Sequence, residues 1–175
     1  MRGQAREALR RFVERESHIL WGRRYLLTVL RRDAKPSVSI DHKRITLTVR
    51  PGSDATKRAQ VMHNWHKSLL QGILPALIAK WEPKLGVSVT GYFLQQMKTK
   101  WGSCSPCAGH IRLNTELVKK PRDLLEYVVV HEMAHLLAST QSDRFMAILD
   151  EHYSHWRDAR RELNELPLAS ETWRE

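Results

Sequence analysis

Two cysteines, Cys104 and Cys107, are too few and too close together for a disulfide framework, which excludes a disulfide-stapled scaffold and agrees with a reducing compartment. No apolar run approaches the roughly 20 residues that cross a bilayer, so no stretch reads as a membrane span. The first 18 residues carry arginines but no apolar core of a secretory signal, and the expectation is a cytoplasmic protein without a membrane partner. Repeats and low-complexity tracts are absent as well. Acidic residues are scarce in one half only: residues 1–120 hold 8 Asp or Glu against 23 Lys or Arg, whereas residues 121–175 hold 11 against 6. The basic excess therefore sits before residue 121, and the acidic remainder brings the whole chain to +10. A field of that sign attracts polyanions and allows weak, salt-sensitive nucleic-acid association through residues 1–120. The basic residues are scattered, and no helix-turn-helix, zinc-finger or RNA-recognition signature accompanies them, so a solvated basic surface is the first reading.

What is present is concentrated in His131-Glu132-Met133-Ala134-His135. On a helix the two histidines lie one turn apart on the same face, so both rings reach one metal ion while Glu132 leans toward a water on that metal. The default reading is a zinc-dependent peptidase in which Glu132 assists attack of a zinc-bound water on a peptide bond. Such a motif counts only in a buried helix, and its surroundings agree. Pro121 and Asp123 suit a helix start, and Leu124, Leu125, Val128, Val129, Met133, Ala134, Leu136 and Leu137 make the segment apolar nearly all round. Ionisable groups inside such a helix are costly unless a partner receives them. Two core histidines bonded to carbonyls, with Glu132 in a salt bridge, form the bland alternative.

At 175 residues the chain suits one domain, 1–175, of α+β class. The start, 1–18, reads as a peripheral helix. Strands are expected at 25–30, 37–40 and 44–49, joined as an antiparallel meander. A long helix is expected from Pro51-Gly52-Ser53-Asp54 to about Trp81, with Val61, Trp65, Leu69, Ile73, Leu77 and Trp81, and Leu70, Leu74 and Ile78 alongside, on a broad apolar face and Gly72 and Pro75 able to kink or split it. His63 and His66 on that helix read as surface or packing residues. Further strands are expected at 87–93 and 110–114 around a turn-rich segment, with 110–114 as the sheet edge that an extended substrate pairs with. Ser142 caps a helix from about 143 to 152, and Ser154 another from about 155 to 164. Cys104-Ser105-Pro106-Cys107 with His110 has metal-like spacing, but no fourth ligand is evident nearby, and a tight turn with ordinary thiols is the preferred reading.

The strings MKTKWGSCS at 97–105, IRLN at 111–114, YVVVHEMAHLL at 127–137 and SDRF at 142–145 together resemble the YgjP-like metallopeptidases, distant relatives of the SprT-like group. The likeness runs from about 19 to 173, including WGRRY at 21–25 and RRELNELPL at 160–168. It implies a minimal zincin fold, with a small antiparallel or mixed sheet packed on a long helix and a central HExxH helix. It also implies peptide or protein substrates, Zn2+ held by His131 and His135, and Glu132 as general base. The family usually places a third histidine where this chain has Gln141. An amide oxygen is a weaker zinc donor than imidazole, so three arrangements follow. Gln141 ligates; or Asp150, Glu151, His152 or His155 replaces it; or the site is impaired and the chain serves as a nucleic-acid or protein binding module. Tyr127, His152 and His155 are candidates by residue type for stabilising the oxyanion.

Overall fold

The computed structural model describes residues 10–165. Four strands come first: β1 (Ser17–Leu20), β2 (Arg23–Arg31), β3 (Ser37–Ile40) and β4 (Arg44–Val49). The β3–β4 turn is closed by the Asp41 carboxylate, which accepts from the Lys43 and Arg44 amides at 2.8 Å each. The strand order is β1-β2-β4-β3, with β2 and β4 parallel. This corrects the expected meander, and the sequence supplies the reason. Ile45, Leu47 and Val49 of β4 are fully buried, whereas β3 is a short Ser-Val-Ser-Ile segment that is largely exposed. The more apolar strand takes the interior position and the polar one takes the edge.

The expected N-terminal helix is also corrected within the described residues; 1–9 lie outside them. Residues 10–16 run into β1, and Phe12 and Arg15 have positive φ, which a right-handed helix cannot contain. Arginine and glutamate favour helix, but here the glutamates serve tertiary bonds. Glu16 accepts from the Arg11 and Phe12 amides at 3.0 and 3.2 Å, and Glu14 accepts from the Val29 amide at 2.8 Å.

α1 (Ala55–Leu85) is capped by Asp54, whose side chain accepts from the Lys57 amide, and ends at Gly86 in the left-handed region. It runs through Gly72 and Pro75, both on its exposed side. The carbonyl that Pro75 leaves without an amide belongs to Gln71, also exposed, so water can serve it. The buried seam is Met62, Leu70, Leu74, Ile78, Trp81 and Leu85. It takes in Leu70, Leu74, Ile78 and Trp81 of the expected apolar face, while Val61, Trp65, Leu69, Ile73 and Leu77 are only half-buried.

A second sheet follows, β5 (Gly91–Gln95), β6 (Gly102–Ser105) and β7 (His110–Asn114), in the order β5-β7-β6. Strand 110–114 is therefore central, and the expectation that it forms the edge is corrected. β5 and β6 are the edges. Fully buried Asn114 ties down the loop before β6, donating to the Met97 and Lys100 carbonyls at 2.9 and 2.8 Å and accepting from the Met97 and Glu116 amides. A 3-10 turn, Thr115–Lys119, leads to α2 (Arg122–Ala134). The two sheets share one apolar core with α2, in which every residue from Tyr127 to Ala134 is buried. α3 (Asp143–His152) and α4 (Trp156–Glu165) pack on its C-terminal half and stand where the sequence expects them, with Ser142 bonding the Phe145 amide as the α3 cap. No helix among the described residues is long and apolar enough to cross a membrane.

Candidate metal centre

α2 ends at the motif. His135 is its C-cap, still in right-handed helical conformation, and its amide bonds the His131 carbonyl. The two imidazoles consequently lie one turn apart and meet edge-on, with His131 Nε2 3.2 Å from His135 Nε2. Two nitrogens on one tetrahedral zinc, each about 2.0–2.1 Å from it, stand about 3.3 Å apart, so the pair is spaced as zinc ligands are. The backbone selects the tautomer of His135. Its Nδ1 lies 3.0 Å from the Ala138 carbonyl, which can only accept, so Nδ1 carries the proton and Nε2 keeps its lone pair. The Tyr127 hydroxyl is 3.4 Å from His131 Nδ1 and serves either as donor or as acceptor, so His131 can also present a bare Nε2.

Burial, then His135, then Arg160 of α4 push the His131 pKa down to about 2, which keeps the ring neutral as ligation requires. Phe145, buried on α3, stacks on the His135 ring at 4.3 Å and 17° and meets the His131 ring edge-on at 5.0 Å. It fixes both planes.

Glu132 is fully buried, with Oε1 4.0 Å from His131 Nε2. The edge strand β6 makes the space for it. A Cβ on Gly102 would lie 2.9 Å from Glu132 Cγ and 3.1 Å from the Arg112 carbonyl oxygen, so only glycine admits the glutamate at this depth. The strand bordering the motif is thus β6, and Gly102, Ala138, Phe145 and Asn114 are the residues the motif reading missed. Gly102 and Asn114 stand inside quoted strings, WGSCS and IRLN, but their roles come from backbone approach and loop bonding that a local pattern does not carry.

The other candidates fall elsewhere. Among the described residues no group of three His, Cys, Asp or Glu could hold a metal ion. Asp150 accepts from Trp156 and Arg157 at 2.8 and 2.6 Å, Glu151 is exposed beside His152, and exposed His155 neighbours Ser154. Gln141 sits in the exposed turn between α2 and α3, four residues before the Phe145 that packs on the histidine pair. Tyr127 is fully buried on the Nδ1 side of His131, away from the face that Nε2 presents, which does not suit an oxyanion donor. Cys104 and Cys107 are free thiols; Cys104 lies half-buried on β6, and burial followed by Glu132 raises its pKa to about 11. His63 and His66 line α1 away from the motif, with burial first lowering both pKa values.

Comparison with known proteins fits this geometry. The model of the YgjP-like metallopeptidase domain matches residues 1–166, and the chain belongs to that family. No curated protein matches it. Among solved structures it is similar to the metallopeptidase zymogen of Pyrococcus abyssi abylysin, at 20% identity over 54% of this chain and 95% of that one, TM-score 0.48. It is also similar to the metallopeptidase zymogen of Methanocaldococcus jannaschii jannalysin, at 19% identity over 52% and 93%, TM-score 0.45.

Proposed function

We propose that this chain is a zinc peptidase with His131, His135 and Gln141 as the protein ligands and Glu132 as the general base. The observation that carries the reading is the paired imidazoles, 3.2 Å apart at Nε2, with the His135 tautomer set by the Ala138 carbonyl. Zinc, when bound, supplies a Lewis acid that makes water more acidic and polarises the scissile carbonyl. Glu132, held against β6 by Gly102, takes the proton of the attacking water and returns it to the leaving amine. Burial keeps the carboxylate dry and close to the reacting atoms. The free edge of β6 offers unpaired backbone groups to an extended substrate strand beside the histidines.

A second reading is favoured by one observation: no third His, Cys, Asp or Glu joins the pair among the described residues. In that reading the centre is impaired and the scaffold serves binding alone. Zinc per chain, measured by elemental analysis after dialysis on this sequence and on Gln141→His, separates the two. About one zinc in both, with cleavage of casein by the native chain, is the expected result. Zinc retained only by Gln141→His would overturn the peptidase reading in favour of the impaired one.

A further inference from the structure

The face of the second sheet turned away from α2 is built differently from the rest of the surface. Phe93, Arg112 and Ser103 form one cross-strand row, and His110 and Ser105 stand in the next. Alternation turns these away from Ile111 and Leu113, which are fully buried beneath. Phe93 is 45% exposed although most large apolar side chains are covered. The Arg112 guanidinium lies 5.3 Å over its ring, and the His110 ring meets it edge-on at 5.1 Å. Arg112 also donates to the Gln95 amide oxygen, which fixes the plane of the guanidinium.

Two hollows flank this group. One, of about 380 Å³, runs between α1 and the free edge of β5, where Lys67 and Gln71 face Tyr92, Phe93 and Arg112. The other, of about 270 Å³, lies over Ser103, Ser105 and His110 and shares Phe93 and Arg112 as its wall.

The stretch of chain that carries this face is one-sided in charge. Residues 83–115, which contain all three strands, include Lys84, Lys98, Lys100 and Arg112 and no acidic residue. The glutamates that bracket the stretch are engaged: Glu82 accepts from the Val89 amide, and Glu116 pairs with Lys119 at 2.7 Å. Charge alone would suit any polyanion. An exposed ring in contact with a guanidinium and an imidazole, on a sheet face with a hollow on either side, adds planar surfaces that polyanions without rings do not use.

We propose that this face binds single-stranded nucleic acid, with an unpaired base stacked on Phe93 and Arg112 and the flanking phosphates held by Lys67 and the lysines of the β5–β6 loop. A base inside a duplex is stacked on both sides and cannot offer its face to an exposed ring, so the ligand is single-stranded. The site stands on the opposite side of the sheet from Glu132, and it does not depend on the peptidase reading.

Fluorescence anisotropy of the full chain with a labelled oligo(dT), in a salt series, tests it. Binding should weaken steeply with salt. At fixed salt Phe93→Ala should lose at least about fivefold in affinity, as removal of one stacked base contact does, and Phe93→Trp should retain binding. Arg112→Gln should weaken binding by removing part of the stacking surface, and Lys67→Gln should flatten the logarithmic salt slope by about 0.7, the effect of one lost phosphate contact on a single strand. If Phe93→Ala lowers the melting temperature, the Phe93→Trp and Arg112→Gln arms decide. Binding that is absent at low salt, that ignores both Phe93 and Arg112, or that polyglutamate displaces as well as unlabelled oligo(dT) does, would overturn the proposal.

Discussion

Glu132 and Gly102 show how much of this centre is settled by single atoms. The carboxylate reaches its place only because position 102 carries no Cβ, and the strand holding Gly102 cannot retreat, since the same Cβ would also meet the Arg112 carbonyl. Gly102→Ala should therefore destabilise the fold by about 1–3 kcal/mol, as overpacking does, and lower casein cleavage at least about tenfold by displacing the base. Glu132→Gln is the control: it keeps the shape, so zinc content and melting temperature should hold while cleavage disappears. Unchanged turnover in Gly102→Ala would mean that β6 does not position the base. The pair of histidines was legible from the i, i+4 spacing alone. Ala138, which sets the tautomer, and Gly102, which clears the space, were not, because their parts are played by a backbone carbonyl in a turn and by a hydrogen on a strand far off in sequence.

At the scale of elements, α1 through α4 follow from signals that a short window contains, caps at Asp54 and Ser142 and apolar residues at helical period, although α1 runs past the expected end near Trp81 to Leu85. The strands do not. β6 reads Gly-Ser-Cys-Ser, with neither branched residues nor alternation, and exists because β7 pairs with it. The parallel pairing of β2 with β4 likewise depends on which strand buries more apolar surface, a comparison no window makes. Residues 10–16 have helical composition that the bonds of Glu14 and Glu16 override. One element poses a sharper question, the continuity of α1 across Pro75. Since the ring lies on the exposed side and the helix is unbroken, Pro75→Ala restores an amide to bond the Gln71 carbonyl and should stabilise the chain by about 1–3 kcal/mol in urea melts. A loss of stability would mean that the helix is bent there and that its packing depends on the bend.

For the molecule as a whole, the clearest energetic signature is a pair of histidines, buried His18 and half-buried His66, where β1, α1 and the 3-10 turn meet. His66 is lowered to about 3, by burial first and then by Lys119, His18 and His63. His18 is lowered by burial, with Glu16 opposing and Arg10 and Lys119 adding to the fall. Both rings are harder to protonate in the fold than when unfolded, where they titrate near their ordinary 6.5. Below about pH 6.5 the unfolded chain then binds more protons than the folded one, so stability is complete above that pH and falls as the solution is acidified toward the folded values. Each ring with a full proton difference adds about 1.4 kcal/mol per pH unit to that slope. Urea melts of the chelator-treated chain between pH 6 and 4.5 should show the decline, and His66→Gln should flatten it by about 1 kcal/mol per pH unit. His131 titrates in both proteins and cancels from the difference, and the carboxylates of Asp41 and Asp150, both lowered below 3.8 by hydrogen bonds, enter only at more acid pH. Equal slopes in the two proteins would mean that His66 is protonated in the fold, and the acid sensitivity would then have to come from other groups.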